Sequence, residues 1–188
     1  TGSLGQLNTQ GKTPLNAFYR ENGELASLQA NSAQIDIVAQ GLTAHAENTT
    51  LKLDTHENGL IRQISGSTDN LRLQGDWGTI NTTGTTSVGL KYTEAGQLSG
   101  VSAHSDQLSL LQNKSRLDLS GAQLDLNYGP HGQLSQASAS ITQGSYTGDF
   151  GKIDLAKGGN VQLQYGETGQ ISQIQAGVEK FQYAGDKG

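Results

Sequence analysis

The residues of this chain that could carry chemistry are few, and their spacing is poor for it. Four histidines, His45, His56, His104 and His131, stand far apart, with no pair at metal-ligand spacing and no cysteine to join them. His131 lies in the turn Gly129-Pro130-His131-Gly132, and the matching turn places elsewhere hold Asn22, Asn58, Ala95 and Thr168, so a solvated side chain is the expectation there. Asp54, His56 and Glu57 are close enough to act as acid and base or to hold a cation, but in a strand-to-turn segment they read as surface groups. Two carboxylate pairs, Asp118 with Asp125 and Asp149 with Asp154, fall on polar strand faces with no cleft to shift a pKa. The run Gly144-x-x-x-Gly148-x-x-Gly151 lacks the Lys-Ser/Thr of a phosphate loop. Trp77 is the single tryptophan, either an anchor for a ligand or partner or a loop residue covering an apolar edge. The expectation is therefore no catalytic residue, no metal site, no cofactor and no enzyme activity.

Composition narrows the classes further. Lys and Arg number 12 against 17 Asp and Glu, with no basic cluster, so the charge needed to hold a nucleic-acid backbone is missing. No apolar run approaches a membrane span of about 20 residues, and since Thr1 is not an initiator residue an export signal could have been removed. Leu, Ile, Val and Phe together make 40 of the 188 residues, while Gly, Pro, Ser and Gln make 65. Such a chain orders itself only if its sparse apolar residues are regularly placed.

They are. Tyr19-x-x-x-Gly23-x-Leu25 recurs at Tyr92-Gly96-Leu98, Tyr128-Gly132-Leu134 and Tyr165-Gly169-Ile171, and a fifth copy has Thr55 before Gly59 and Ile61. The glycines are 36 or 37 residues apart. Three residues beyond each aliphatic anchor lie Leu28, Ile64, Val101, Ala137 and Ile174, and five beyond lie Ala30, Gly66, Ala103, Ala139 and Ala176. Alternating runs follow at Ile35/Ile37, Leu71/Leu73, Leu108/Leu110 and Phe181/Tyr183, with a degenerate copy at Gly144/Tyr146. Period-two alternation marks strands with one apolar and one polar face. The Gly-containing stretches are tight-turn chemistry, and the offset of three implies a β-bulge in every copy.

These patterns predict an all-β chain: an array of short strands, about four per repeat and roughly six residues each, as a β-jellyroll or a solenoid with one apolar face. Residues 1–12 read as a flexible segment, 13–183 as one β-repeat domain and 184–188 as a tail. With so few large apolar residues, the apolar face is expected to remain a trough open to an apolar ligand, lined by Leu28, Ile37, Ile64, Leu73, Leu90, Val101, Leu110, Leu119, Leu126, Leu163 and Ile174. Open sheet edges are expected to accept strands from other proteins.

The segments Ala33-Gln34-Ile35-Asp36-Ile37-Val38 and Gly41-Leu42-Thr43-Ala44, the recurrent Leu-x-Tyr-x-x-x-Gly-x-Leu, and Ser105-Asp106-Gln107-Leu108-Ser109-Leu110 together resemble the OstA-like periplasmic proteins of lipopolysaccharide transport, the LptA and LptC family, over residues 15–183. The resemblance implies an elongated β-jellyroll of the periplasm or cell envelope, whose interior shields lipid acyl chains and whose ends join other envelope β-proteins edge to edge. Tyr-x-x-x-Gly-x-Leu also resembles the YD repeats of Rhs-type shells, without their Tyr-Asp pair and with a longer period. That resemblance implies a structural or surface module (adhesin, fibre or shell segment) with no lipid ligand.

Overall fold

The computed structural model describes residues 6–39, 41–148, 151–166 and 168–184. Its strands are β1 (Gln6–Gln10), β2 (Leu15–Tyr19), β3 (Leu25–Ala39), β4 (Leu42–Thr55), β5 (Ile61–Gly75), β6 (Gly78–Tyr92), β7 (Leu98–Gln112), β8 (Ser115–Tyr128), β9 (Leu134–Ile141), β10 (Gln143–Gly148), β11 (Gly151–Leu155), β12 (Gly159–Tyr165), β13 (Ile171–Val178) and β14 (Phe181–Ala184). All fourteen belong to one open sheet, and no helix occurs among the described residues. The chain crosses the sheet in successive traverses. β1 and β2 share the first, β3 to β8 take one each, and β9 with β10, β11 with β12, and β13 with β14 share the last three. Every pairing is antiparallel. The connections explain this, because they are short turns and a parallel pairing needs a crossover of about a dozen residues or more.

The all-β reading therefore holds as an antiparallel meander, not a parallel solenoid. Its strands are longer than the alternation suggests: β3 and β5 have 15 residues and β4 has 14. The four short runs of each repeat are the halves of two long strands. Gln6–Gln10, within the segment 1–12 read as flexible, pairs with Gln34–Val38 of β3 and so joins the sheet. Five residues are too few to show a period.

At one end of the sheet the repeated motif closes the hairpins. Tyr19 pairs with Leu25, Thr55 with Ile61, Tyr92 with Leu98, Tyr128 with Leu134 and Tyr165 with Ile171. In each turn the glycine amide donates to the carbonyl three residues earlier, from Gly23 to Arg20 (2.9 Å), Gly59 to His56 (3.0 Å) and likewise at Gly96, Gly132 and Gly169. The five glycines have φ between +76° and +84°, where a Cβ would be strained. The residue after each aliphatic anchor (Ala26, Arg62, Ser99, Ser135 and Ser172) has no cross-strand partner, which is the expected bulge. Neighbouring turns are also tied together. Arg20 donates to the Thr55 carbonyl at 2.7 Å, His56 Nε2 to that of Tyr92 at 3.0 Å, and Asn58 Nδ2 to that of Glu94 at 2.7 Å.

Halfway along the traverses runs a crease. On β4, β6 and β8 it is marked by left-handed residues, Asn48 (φ +50°), Gly84 (φ +78°) and Gly121 (φ +57°), and the register shifts between Thr83 and Thr86. Opposite them, on β3, β5 and β7, stand the buried hydroxyls of Ser32, Thr68 and Ser105. Each donates to the carbonyl two residues on, Gln34 at 2.9 Å, Asn70 at 3.0 Å and Gln107 at 3.0 Å. Thr68 Oγ1 also reaches the Glu47 carbonyl at 2.5 Å. A bulge frees backbone carbonyls from the ladder, and these hydroxyls satisfy them. In the next copy the place is taken by Ile141, the Thr142 hydroxyl donates to the Ser120 carbonyl at 2.8 Å instead, and there the traverse breaks into β9 and β10. Beyond that point the halves part into β9-β12-β13 and β10-β11-β14.

Removing one crease hydroxyl should expose its cost. Thr68→Val is expected to lower stability by about 1–3 kcal/mol, the cost of an unsatisfied buried polar group. Thr83→Val, on an exposed position of the same sheet, should stay within about 0.5 kcal/mol. Urea unfolding midpoints decide, and equal small effects would remove the hydroxyl from the account of the crease.

Candidate functional site

The pairing register arranges the apolar residues in four rows that cross the sheet. Before the crease, Leu28, Leu53, Ile64, Leu90, Val101, Leu126, Ala137, Leu163 and Ile174 follow one another on adjacent strands. Beside them runs a second row in which Leu15, Leu51, Val88, Leu124 and Val161 alternate with Ala30, Gly66, Ala103, Ala139 and Ala176. Beyond the crease lies a third row, Ile35, Ala46, Leu71, Thr82, Leu108, Leu119, Gly144 and Leu155. The fourth is Ile37, Ala44, Leu73, Ile80, Leu110, Leu117, Tyr146, Ile153 and Tyr183.

All eleven residues singled out in the sequence fall on these rows. Leu28, Ile64, Leu90, Val101, Leu126, Leu163 and Ile174 share the first, Leu119 is in the third, and Ile37, Leu73 and Leu110 are in the fourth. The second row was missed because every other member is Ala or Gly, although Leu51, Val88, Leu124 and Val161 repeat at the same period as the turns. Its large and small members complement each other: a Cβ on Gly66 would stand 3.2 Å from Leu51 Cδ2. The degenerate copy is compensated too, since Ile141 Cδ1 fills the space beside Gly144.

No apolar residue is buried among the described ones. Leu51 is 50% exposed, Val88 49% and Ile174 63%. The two halves of the sheet face one concavity, an open space of about 380 Å³ in the β3–β6 region. Ile35, Ile37, Leu71 and Leu73 line it from one half and Leu51 and Val88 from the other. Thr49, Ser67, Thr68 and Thr86 form its floor at the crease. These hydroxyl residues are also absent from the sequence reading. The signal for the buried ones was the period of Ser32, Thr68 and Ser105, which matches that of the glycines.

The titratable side chains lie elsewhere and are paired locally. Asp54 is buried against Lys52 at 3.1 Å and Arg62 at 3.8 Å, while His56 serves the turn ladder, so the cluster of Asp54, His56 and Glu57 is divided between two tasks. Asp118 binds Arg116 at 2.7 Å and Ser109 at 2.6 Å, Asp125 binds Gln123 at 2.7 Å, and Asp154 binds Lys152 at 3.1 Å. Asp149 lies outside the described residues. His104 pairs with Asp106 at 3.0 Å. His45 Nδ1 meets Asp36 at 2.6 Å and its Nε2 meets Glu47 at 3.5 Å. Donating to the Asp36 carboxylate raises the His45 pKa, and accepting that bond lowers the Asp36 pKa. Among the described residues no group of three or more His, Asp or Glu is placed to hold a metal ion. The apolar rows and the concavity can shelter apolar matter, and Asp36, His45 and Glu47 do not line it.

No family model and no curated protein matches this sequence.

The Asp36–His45 pair has a defined pH signature. Because the folded His45 pKa is raised, its contribution to stability is complete below the ordinary value of 6.5 and is lost as pH rises through the folded value. In an NMR titration His45 should titrate above 6.5, and Asp36→Asn should bring it down. An unchanged midpoint in the variant would show that Asp36 is not the cause.

Proposed function

We propose that this chain is a non-enzymatic binding protein of the bacterial cell envelope that shields lipid acyl chains, as of lipopolysaccharide or phospholipid, in its apolar trough. The observation that carries the reading is the contrast between four continuous apolar rows and the absence of any buried apolar residue among those described. A contiguous apolar surface of that extent on a monomer marks an interaction site. Burying a half-exposed Leu or Val would add about 1 kcal/mol, so the trough gains from whatever fills it. From β3 to β8, where both halves are continuous, five inter-strand spacings of about 4.8 Å give a trough roughly 24 Å long, the length of one extended acyl chain. The edge strands β2 and β13 are exposed along their whole length, which suits strand pairing with other envelope β-proteins.

The alternative, a structural or surface β-repeat module with no lipid ligand, draws support from the hydrogen bonds that tie the first three turns together. The two readings part at the trough. With a photo-crosslinking side chain at Val101 or Leu110, protein purified from a bacterial envelope should carry lipid adducts. The same group at Ser102 or Ser109, adjacent on the opposite face, should carry none. Adducts on both faces alike, or on neither, would overturn lipid carriage.

A further inference from the structure

We propose that Trp77 is a positioning residue at one lip of the trough, holding the boundary between the acyl chain and the polar head of a bound amphiphile, with the chain running inward from it. The inference rests on the acyl-binding reading and adds an orientation to it.

Trp77 stands in the two-residue turn between β5 and β6, at the end of the sheet opposite the repeated glycine turns. It is 42% exposed, and its indole does not point away from the sheet. A Cβ built on Gly75 would lie 2.5 Å from Trp77 Nε1 and 3.0 Å from its Cε2, so the N–H edge of the ring covers the side-chain face of Gly75. By strand alternation that face is the one that carries Leu71 and Leu73, both of which line the cavity. The ring thus closes the row of Leu71 and Leu73 at the rim. Gly75 makes this possible by having no side chain. Gly41, whose carbonyl would be 3.0 Å from the same Cβ, borders the spot from the next turn.

Indole combines a large apolar ring with one donor, which places it at boundaries between apolar and wet surroundings. Among the described residues no hydrogen-bond acceptor serves Trp77 Nε1. An ester or carboxylate oxygen at the top of an acyl chain lying along Leu73 and Leu71 would meet that N–H, while the head itself stays in water beyond the turn. At the other end of the traverses the first three closing turns are bonded to one another through Arg20, His56 and Asn58, and no indole stands there.

As the single tryptophan, Trp77 reports on its own contacts. The experiment titrates the full chain with two stearic acids, one brominated near its carboxyl end and one near its methyl end, and reads tryptophan fluorescence. Calorimetry with unbrominated stearate runs alongside. Binding with several-fold stronger quenching by the carboxyl-end isomer is the expected result. Gly75→Ala, which pushes the ring off its seat, should shift the emission to the red and abolish the difference between isomers while stearate still binds. Equal quenching, or stronger quenching by the methyl-end isomer, overturns the placement of Trp77 but leaves acyl binding standing. No quenching together with no heat of binding overturns the acyl-binding reading itself.

Discussion

Where each long strand crosses the midpoint of the sheet, the antiparallel ladder is interrupted, and backbone carbonyls there must find other donors. Ser32, Thr68 and Ser105 supply them, each to the carbonyl two residues on. Asn48, Gly84 and Gly121 supply the left-handed backbone opposite. An unsatisfied buried carbonyl costs on the order of 1–3 kcal/mol, so a sheet of this kind creases only where hydroxyls stand ready. Because they recur with the repeat, the crease runs straight across successive strands and divides one sheet into two facing halves. At Ile141 and Thr142, where the hydroxyl bond to Ser120 comes one residue later, the strand breaks and the halves separate.

Everything on the apolar side follows from that division. Had the sheet stayed flat, its four apolar rows would form a plane; creased, they surround a concavity whose floor is hydroxyl-bearing but whose walls are Leu, Ile and Val. On the floor Thr68 is bonded to backbone carbonyls and Thr86 to the Ser105 hydroxyl, while Thr49 Oγ1 is buried without a partner among the described residues. The ionisable groups meanwhile pair with one another on other surfaces: Asp36 with His45, His104 with Asp106, Arg116 with Asp118. The concavity is thus lined by apolar walls, and these ion pairs stand outside it.

The strands, their polarity and the turn motif were legible in the sequence because each depends on local chemistry: alternation at Leu71-x-Leu73, glycine at Gly59, an offset of three that becomes the bulge at Arg62. The length of the strands was not. A bulge and a left-handed residue at the midpoint look, in one dimension, like the end of one strand and the start of another. The crease escaped for a related reason, since Ser and Thr abound on the polar faces and only the period of Ser32, Thr68 and Ser105 sets them apart. Of the candidate site, the large residues of three rows were legible, whereas the row of Leu51 and Val88 was masked by its alternation with Ala30 and Gly66. Trp77 stood out by being alone, but its place over Gly75 needed the turn's geometry.

Lipid carriage requires a trough that is open and takes up acyl chains. Methyl NMR of the Leu, Ile and Val side chains, recorded while phospholipid is added, tests this most directly. Shifts concentrated at Leu51, Leu53, Leu90, Leu124 and Leu126, with Val38 and Leu111 on the opposite face unmoved, are the predicted result. Cross-trough contacts already present between the facing rows in the lipid-free protein, with no shift on adding lipid, would mean a closed dry core and would contradict it.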